Sequence, residues 1–212
     1  MARKLLAGAL VAVLVLTSGC LGFILGDTLS YSANKATVGD NALSETSYDK
    51  ANEEQLNTER SFEVAGESRD VEVTNWITQY EKSVGVSGVG EGTVATFTVL
   101  SSPRFELAGE SVNPLARYNN RQLVQKFVSG YGNVRNIQET DTRNVTMLGS
   151  ETEVSTFTGT AQSNGASVEV NIHVTKVEHG DDIVVVMAVH PKQLDESDNV
   201  SRLIEGVEHE GE

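Results

Sequence analysis

The sequence predicts an α+β fold, a mainly antiparallel sheet covered by a few helices, and three observations lead to this prediction. Apolar and polar residues alternate along many segments, which is typical of strands with one buried face. Two segments, after Pro114 and after Asp195, carry apolar residues at helical spacing. The strand patterns follow one another in series instead of alternating strictly with helices, which favours antiparallel pairing.

The first half of the chain contains short strand patterns and two weak helix patterns. Alternation predicts strands near residues 29–33 and within 62–77. The polar stretches 40–46 and 49–56 tolerate helix, although their apolar stripes are thin. The run 84–92 holds four glycines and predicts a connection that leads into the next strand.

A helix start is visible at Asn113-Pro114. Asn caps a first turn, and Pro at the first helical position lacks an N–H that would find no partner there. Gly130 is placed to end this helix in a left-handed conformation. The apolar face between these points consists of Leu123, Val124, Phe127 and Val128.

The second half returns to strand patterns and predicts a β-hairpin. Residues 168–174 alternate strictly, whereas 183–189 are apolar throughout, as in a central strand buried on both faces. A polar turn around Gly180 joins the two segments. Asp195 can cap a last helix, which would cover the sheet together with the helix from Pro114. The apolar stripe of that last helix consists of Val200, Leu203, Ile204 and Val207.

The N-terminus predicts export and lipid attachment. Arg3 and Lys4 precede an apolar stretch, 5–16, of signal-peptide length, and small residues at 18 and 19 lead to Cys20. Thr17 stands where lipoproteins favour Leu. We therefore expect a signal peptide with lipobox at 1–19, a lipidated Cys20 with a short tether at 20–27, and a single α+β domain at 28–212.

An uncleaved signal anchor is the alternative for this segment. Residues 5–25 form a nearly continuous apolar span of about the twenty residues that a bilayer needs. Either interpretation places the body on the outer face of the cell membrane, because the positive flank stays inside. Cys20 is the sole cysteine of the chain, so the body holds no intrachain disulfide.

The body is strongly acidic. The chain has 16 basic and 30 acidic residues, and its formal net charge is −14. Charge of this sign opposes binding to polyanions, so nucleic acid is not an expected partner. An acidic, lysine-poor surface is typical of adaptation to concentrated salt, in which the Debye length shrinks to about 3 Å and self-repulsion is screened. An acidic protein of an ordinary compartment is the alternative.

No motif for catalysis or for a cofactor emerges. His173, His179, His190 and His209 lack the close spacing of zinc ligands, and the acidic runs lack the pattern of a calcium loop. The glycines of 84–92 lack the Walker spacing, and a Gly-x-Ser-x-Gly elbow is absent. We therefore expect no enzyme, cofactor or metal; an envelope hydrolase with a site assembled from scattered residues is the alternative.

Two surface features remain as candidate sites. Basic residues around the helix after Pro114 form a less acidic patch that could meet a partner; its members are Arg117, Arg121 and Lys126. A solvated helix face with local ion pairs explains the same residues. Asn144 and Asn199 each begin an Asn-x-Ser/Thr sequon, which an exported domain could use for N-glycosylation.

Several short motifs together resemble a family of short halophilic archaeal lipoproteins of unassigned function. They are the Cys20 leader, the acidic body, Ser102-Pro103, Asn113-Pro114-Leu115 and the hairpin that ends at His190-Pro191. The resemblance implies an exported, membrane-tethered domain and carries over no catalytic residues. The order of strands and helices is also similar to the PsbP or Mog1-type sandwich, as an analogy of fold alone.

These observations predict a membrane-tethered, exported lipoprotein with a non-catalytic domain adapted to high salt. The expected partners are the membrane, through the lipid on Cys20, and another envelope protein or a small ligand. A structural component of the envelope is a further possibility.

Overall fold

The computed structural model describes residues 28–64, 67–86, 90–107, 110–131, 134–163 and 166–211. The predicted signal peptide, Cys20 and the tether lie outside these residues. The described residues divide into two compact units, one with residues 28–31 and Thr58–Val73, the other with Ser32–Asn57 and the residues from Thr74 onward. The second unit contains both predicted sequons, the predicted basic patch and the four histidines.

The described residues form twelve strands and four helices. The strands are β1 (Leu29–Ser32), β2 (Ala36–Val38), β3 (Asp49–Val64), β4 (Glu67–Val86), β5 (Gly90–Pro103), β6 (Glu106–Leu107), β7 (Glu110–Ser111), β8 (Val134–Met147), β9 (Ser150–Ser163), β10 (Ala166–His179), β11 (Asp182–Pro191) and β12 (Val207–His209). The helices are α1 (Asp40–Thr46), α2 (Pro114–Arg117), α3 (Asn120–Tyr131) and α4 (Ser197–Glu205).

One large sheet dominates the described part of the chain. Its eight strands follow the order β1-β4-β5-β11-β10-β9-β8, with β3 paired to β4. The pairs from β4 to β8 along this order are antiparallel. The predicted hairpin is confirmed as β10 and β11, in which Ile172 lies opposite Val189 and His179 opposite Asp182. Two small sheets, β12 with β2 and β6 with β7, complete the described pairings.

Strand β11 is buried on both faces, as its apolar run predicts. Val184, Val186 and Ala188 belong to one hydrophobic cluster, which also contains Val200, Leu203 and Ile204 of α4. The intervening Ile183, Val185 and Met187 belong to a second cluster, with Leu123 and Val124 of α3. Because successive strand residues point to opposite faces, α4 and α3 pack on opposite sides of this strand.

The predicted α+β class is wrong. Strands account for 66% of the structure and helices for 18%, so the protein is mainly β and is not a sheet covered by helices. The twelve residues of α3 extend about 18 Å, whereas each fourteen-residue strand extends about 46 Å, so the helices cover only part of the sheet. Strand pairing, not helix packing, organises most of the chain.

Some elements match the bounds predicted from local sequence patterns, and others do not. The helix at 40–46 is confirmed as α1, whereas 49–56 lies in β3 instead of a second helix. The helix after Pro114 is interrupted at residues 118–119, and α3 continues past Gly130, so Gly130 is not its end. Val207 lies in β12 beyond the last helix.

Asn113 joins two of the short motifs noted in the sequence. As predicted, its Oδ1 accepts a hydrogen bond from the N–H of Leu115 at 3.0 Å and so caps α2. Its Nδ2 donates to Ser102 Oγ at 2.8 Å and to the carbonyl of Pro103 at 2.7 Å. The buried side chain of Asn113 therefore joins Ser102-Pro103, at the end of β5, to the start of α2 at Pro114.

Candidate functional site

A polar groove lies where α1 and β2 meet α4 and β12. Its volume is about 760 Å³, and we call it the α1–α4 groove. Its charged lining side chains comprise four carboxylates and two cations, which are Asp40, Glu45, Glu205, Glu208, Lys50 and Arg202. This excess of carboxylates suits a ligand that presents positive charge.

Two glycines bring the walls of the groove together. The N–H of Gly39, which precedes α1, donates to the carbonyl of Gly206, which follows α4, at 2.9 Å. A Cβ on Gly206 would collide with the Cβ of Ala42 on α1. The groove therefore depends on backbone contact that a larger residue at position 206 would obstruct.

A buried ion pair holds the start of α4. Lys82 Nζ lies 2.8 Å from Glu196 Oε1, and the Glu196 side chain is 4% exposed. Asn199 Nδ2 donates to the other carboxylate oxygen at 2.9 Å. Burial raises the pKa of Tyr48 and the charge of Glu196 raises it further, so the tyrosine hydroxyl beside this carboxylate stays protonated. These groups satisfy one another, which indicates a structural role.

His173 and His190 form the centre of a buried polar cluster. Their Nε2 atoms lie 2.9 Å apart, and the two rings are stacked. Thr156 Oγ1 lies 3.0 Å from His173 Nδ1, and Arg143 reaches the same nitrogen at 3.3 Å. Burial, together with the charge of Arg143, lowers the pKa of His173 to about 3. His173 is therefore neutral near pH 7 and is enclosed, so it has no access to a substrate.

His209, Asp182 and Ser101 bring together the residue types of a hydrolase triad without its geometry. Asp182 Oδ2 lies 3.0 Å from His209 Nε2, and Ser101 Oγ lies 3.5 Å from the same nitrogen. A triad needs the serine and the carboxylate on different ring nitrogens. Here the other nitrogen, Nδ1, lies 3.1 Å from His179 Nδ1, and Ser101 is fully buried. This arrangement gives the hydrolase alternative no support.

The pairing of the histidines was missed from the sequence. His173 and His190 lie on the two strands of the predicted hairpin. The residue directly opposite His190 is Asn171, and His173 is two residues further along the same strand. The register of the hairpin therefore already makes the two histidines diagonal neighbours. His209 belongs to β12, which pairs with the distant β2. No local pattern could therefore have placed it beside His179.

The predicted basic patch consists of three exposed side chains with separate contacts. Arg121 Nη2 lies 2.9 Å from Glu139 Oε2, and an Arg117 N–H donates to the carbonyl of Ser111. Lys126 Nζ lies 5.9 Å from the centre of the Tyr118 ring. Arg117 is on α2 and the other two are on α3, so each is held locally; the role of the patch in partner binding stays a prediction.

The two sequon asparagines lie in different environments. Asn144 is exposed on β8, whereas Asn199 is half-buried on α4. Within the described ranges, no cluster of three or more His, Cys, Asp or Glu side chains could hold a metal ion. Nor does any helix of those ranges have the length and apolar character required to span a membrane.

Comparison with known proteins gives one finding. A family described as a domain of unknown function (DUF6517) matches residues 35–208, which include the groove and both histidine pairs. A search of curated proteins finds no significant match to the chain. The match agrees with the predicted resemblance in one respect, namely that the family is one of unassigned function. It names no enzymatic activity.

Proposed function

Since the chain belongs to the DUF6517 family, a domain of unknown function, we propose that it is an exported, lipid-anchored, non-catalytic binding domain of the cell envelope. The proposal includes the finer resemblance to lipoproteins of halophilic archaea. Cleaved and uncleaved leaders would both leave the body on the outer face of the membrane.

The anchor is supported by the leader and by the scarcity of cysteine. Small residues precede Cys20, and the thiol of this residue is the sole one in the chain. A single cysteine beside an apolar segment suits thioether formation with a lipid better than redox chemistry. Cleavage would leave residues 20–27 as a tether that keeps the body close to the membrane.

The binding role rests on one observation, the contrast between the α1–α4 groove and the buried polar clusters. The histidine clusters have their polar atoms paired with one another inside the fold. The groove instead presents exposed carboxylates and the exposed Arg202. Charged groups that line an open concave surface can pair with a ligand, and we propose a positively charged segment of another envelope component as that ligand.

The anchor is tested by Cys20→Ser. The wild-type protein from the membrane fraction should show a mass increased by lipid and should partition into detergent. The Cys20→Ser variant should lack that mass and enter the aqueous phase, or remain as the uncleaved precursor. Tyr118→Phe serves as a control that should leave the lipid in place. An unchanged mass in Cys20→Ser would remove the lipoprotein assignment.

The groove is tested by site-specific crosslinking on intact cells. A photo-crosslinking residue at the exposed position 45 should capture a partner, and the same residue at position 54 on β3 should not. Glu205→Gln combined with Glu208→Gln should weaken capture about thirtyfold, since two lost charge contacts of about 1 kcal/mol each cost about 2 kcal/mol together. Glu54→Gln is the matched control. Equal capture from both positions, or none from either, would contradict a binding role for the groove.

A further inference from the structure

We propose that the side-chain nitrogen of Asn144 carries an N-linked glycan and that Asn199 does not. The sequence treats the two sequons as equivalent, since Asn144-Val145-Thr146 and Asn199-Val200-Ser201 both satisfy the acceptor pattern. In the folded protein, however, the two asparagines lie in different environments. This inference rests on the export included in the proposed function, because the glycan is added outside the cytoplasm.

The Asn144 sequon lies on strand β8, and the side chains that carry its amide and its hydroxyl are exposed. Asn144 and Thr146 are both exposed on β8, and the intervening Val145 is 6% exposed and belongs to the first hydrophobic cluster. Residues i and i+2 of a strand share a face, so the amide and the hydroxyl project to the same side. Asn144 Nδ2 donates to Glu151 Oε1 at 3.0 Å, and Glu151 is also exposed, so a sugar can displace this contact at little cost.

The Asn199 sequon is instead part of a packed helix. Asn199 Nδ2 donates to the buried carboxylate of Glu196, the partner of Lys82. Ser201 Oγ donates to the carbonyl of Ser197 at 3.0 Å and accepts from Arg143 Nε at 3.1 Å. A glycan on Asn199 would replace one hydrogen of the amide that donates to the buried Glu196 carboxylate. It would also place a bulky group at a half-buried position of α4. The native fold therefore opposes modification here.

The position of Asn144 also suggests what its glycan would do. Strand β8 is the last strand of the eight-stranded order, so one of its backbone edges has no neighbouring strand among the described residues. An exposed edge strand can pair with another molecule and start aggregation. A hydrated glycan near the end of β8 would obstruct such pairing sterically.

The chemistry requires one co-reactant, a saccharide linked through phosphate to a polyprenyl lipid. The Asn144 Nδ2 attacks the anomeric carbon of the saccharide and forms a C–N bond. The bond from that carbon to the phosphate oxygen breaks, and the lipid phosphate leaves with the electron pair. The amide nitrogen gives up one of its two protons to a base of the transferase, so no oxidation or reduction occurs.

The test uses the full-length protein isolated from the membrane fraction of the organism that produces it. Intact mass and glycopeptide mass spectrometry should find one glycan, on the peptide that contains Asn144. Asn144→Gln and Thr146→Ala should each lose this mass completely. Thr146→Ser preserves the sequon and Ser201→Ala destroys the other one, so both variants should retain it.

The outcomes separate this inference from the proposed function. A processed, lipid-bearing chain with an unmodified Asn144, or a glycan found on Asn199, overturns the inference and leaves the lipoprotein proposal standing. An intact leader on a protein recovered from the cell interior overturns both. In the supporting case, Asn144→Gln should additionally increase self-association in sedimentation velocity, whereas Ser201→Ala should not.

Discussion

At the residue scale, two buried hydroxyl groups of β4 are paired with backbone groups from a distant part of the chain. The hydroxyl of Tyr80 is fully buried and accepts a hydrogen bond from the N–H of Val38 at 2.7 Å. Thr78 Oγ1 donates to the carbonyl of Ala36 at 3.1 Å. These two side chains of β4 therefore satisfy the backbone of the short strand β2, which a sheet neighbour would ordinarily do on that side.

Tyr80→Phe should destabilise the protein by about 1–3 kcal/mol, because the buried N–H of Val38 loses its acceptor while the ring still fills its place. The free energy of unfolding in urea measures this effect. Tyr118→Phe, at a half-buried tyrosine, is the matched control and should change stability by less than about 0.5 kcal/mol. Equal stability of the two variants would show that the Val38 N–H finds another partner.

His173 should make stability depend on pH. Its pKa is lowered to about 3 in the folded protein, while an unfolded histidine has a pKa of about 6.5. The unfolded state therefore binds more protons between these values, and stability falls as the pH decreases from about 6.5 towards 3. The slope is up to about 1.4 kcal/mol per pH unit.

Urea unfolding of the wild type and of His173→Gln at pH 7 and pH 5 measures this contribution. Glutamine retains hydrogen-bonding capacity for Thr156 and His190 but does not titrate. The wild type should lose about 2 kcal/mol more than the variant over this interval. Parallel losses in the two proteins would mean that groups other than His173 cause the pH dependence.

At the scale of elements, local patterns succeeded where a segment interacts mainly with its own neighbours. The Asn113 cap and the β10–β11 hairpin were predicted because capping and turns involve residues a few positions apart. The segment 49–56, whose pattern tolerates helix, lies in β3 instead, since its thin apolar stripe carries no clear period and pairing with β4 decides its conformation. The break between α2 and α3 likewise has no strong local signal.

The contact between α1 and the end of α4 yields a prediction for Gly206. Gly206→Ala should destabilise the protein by about 1–3 kcal/mol, because the new methyl group collides with Ala42 and approaches the carbonyl of Arg202 at 3.2 Å. Gly92→Ala, where nothing lies within 4 Å of the added carbon, is the control and should be neutral or slightly stabilising.

Thermal unfolding of both variants compares these effects. A loss that Ala42→Gly partly restores in the Gly206→Ala background would assign the cost to this contact. Equal melting temperatures of Gly206→Ala and the wild type would show that α1 can move away without penalty. The same variants report whether the α1–α4 groove keeps its shape.

At the scale of the whole molecule, charge and strand pairing dominate. A net charge of −14 imposes self-repulsion on the compact state, which salt screens. The long antiparallel pairs bring together residues far apart in the chain, as in the pairing of β5 with β11. Forming such contacts carries a loop-closure cost, which reduces the net free energy of folding. Charge repulsion reduces this free energy further, and its effect is felt by the fold as a whole.

The unfolding midpoint in urea should therefore rise as KCl increases from about 0.1 M to about 2 M, because the Debye length falls from about 10 Å to less than 3 Å. Circular dichroism follows the transition. Sucrose at equal osmolality is the control for effects that do not depend on charge. A cooperative transition with the same midpoint at both salt concentrations would remove the salt-adapted interpretation.

Features that depend on short-range interactions or on composition can be predicted from the sequence: the period-two strands, the hairpin, the Asn113 cap, the acidity and the two sequons. Long-range contacts instead establish that strands outweigh helices, that the four histidines meet in two pairs, and that Asn144 is exposed while the Asn199 side chain is hydrogen-bonded to a buried carboxylate. The physical reason is that periodicity reports which face of a segment is buried, whereas its covering partner, here β2 against β12 or α1 against Gly206, comes from distant residues.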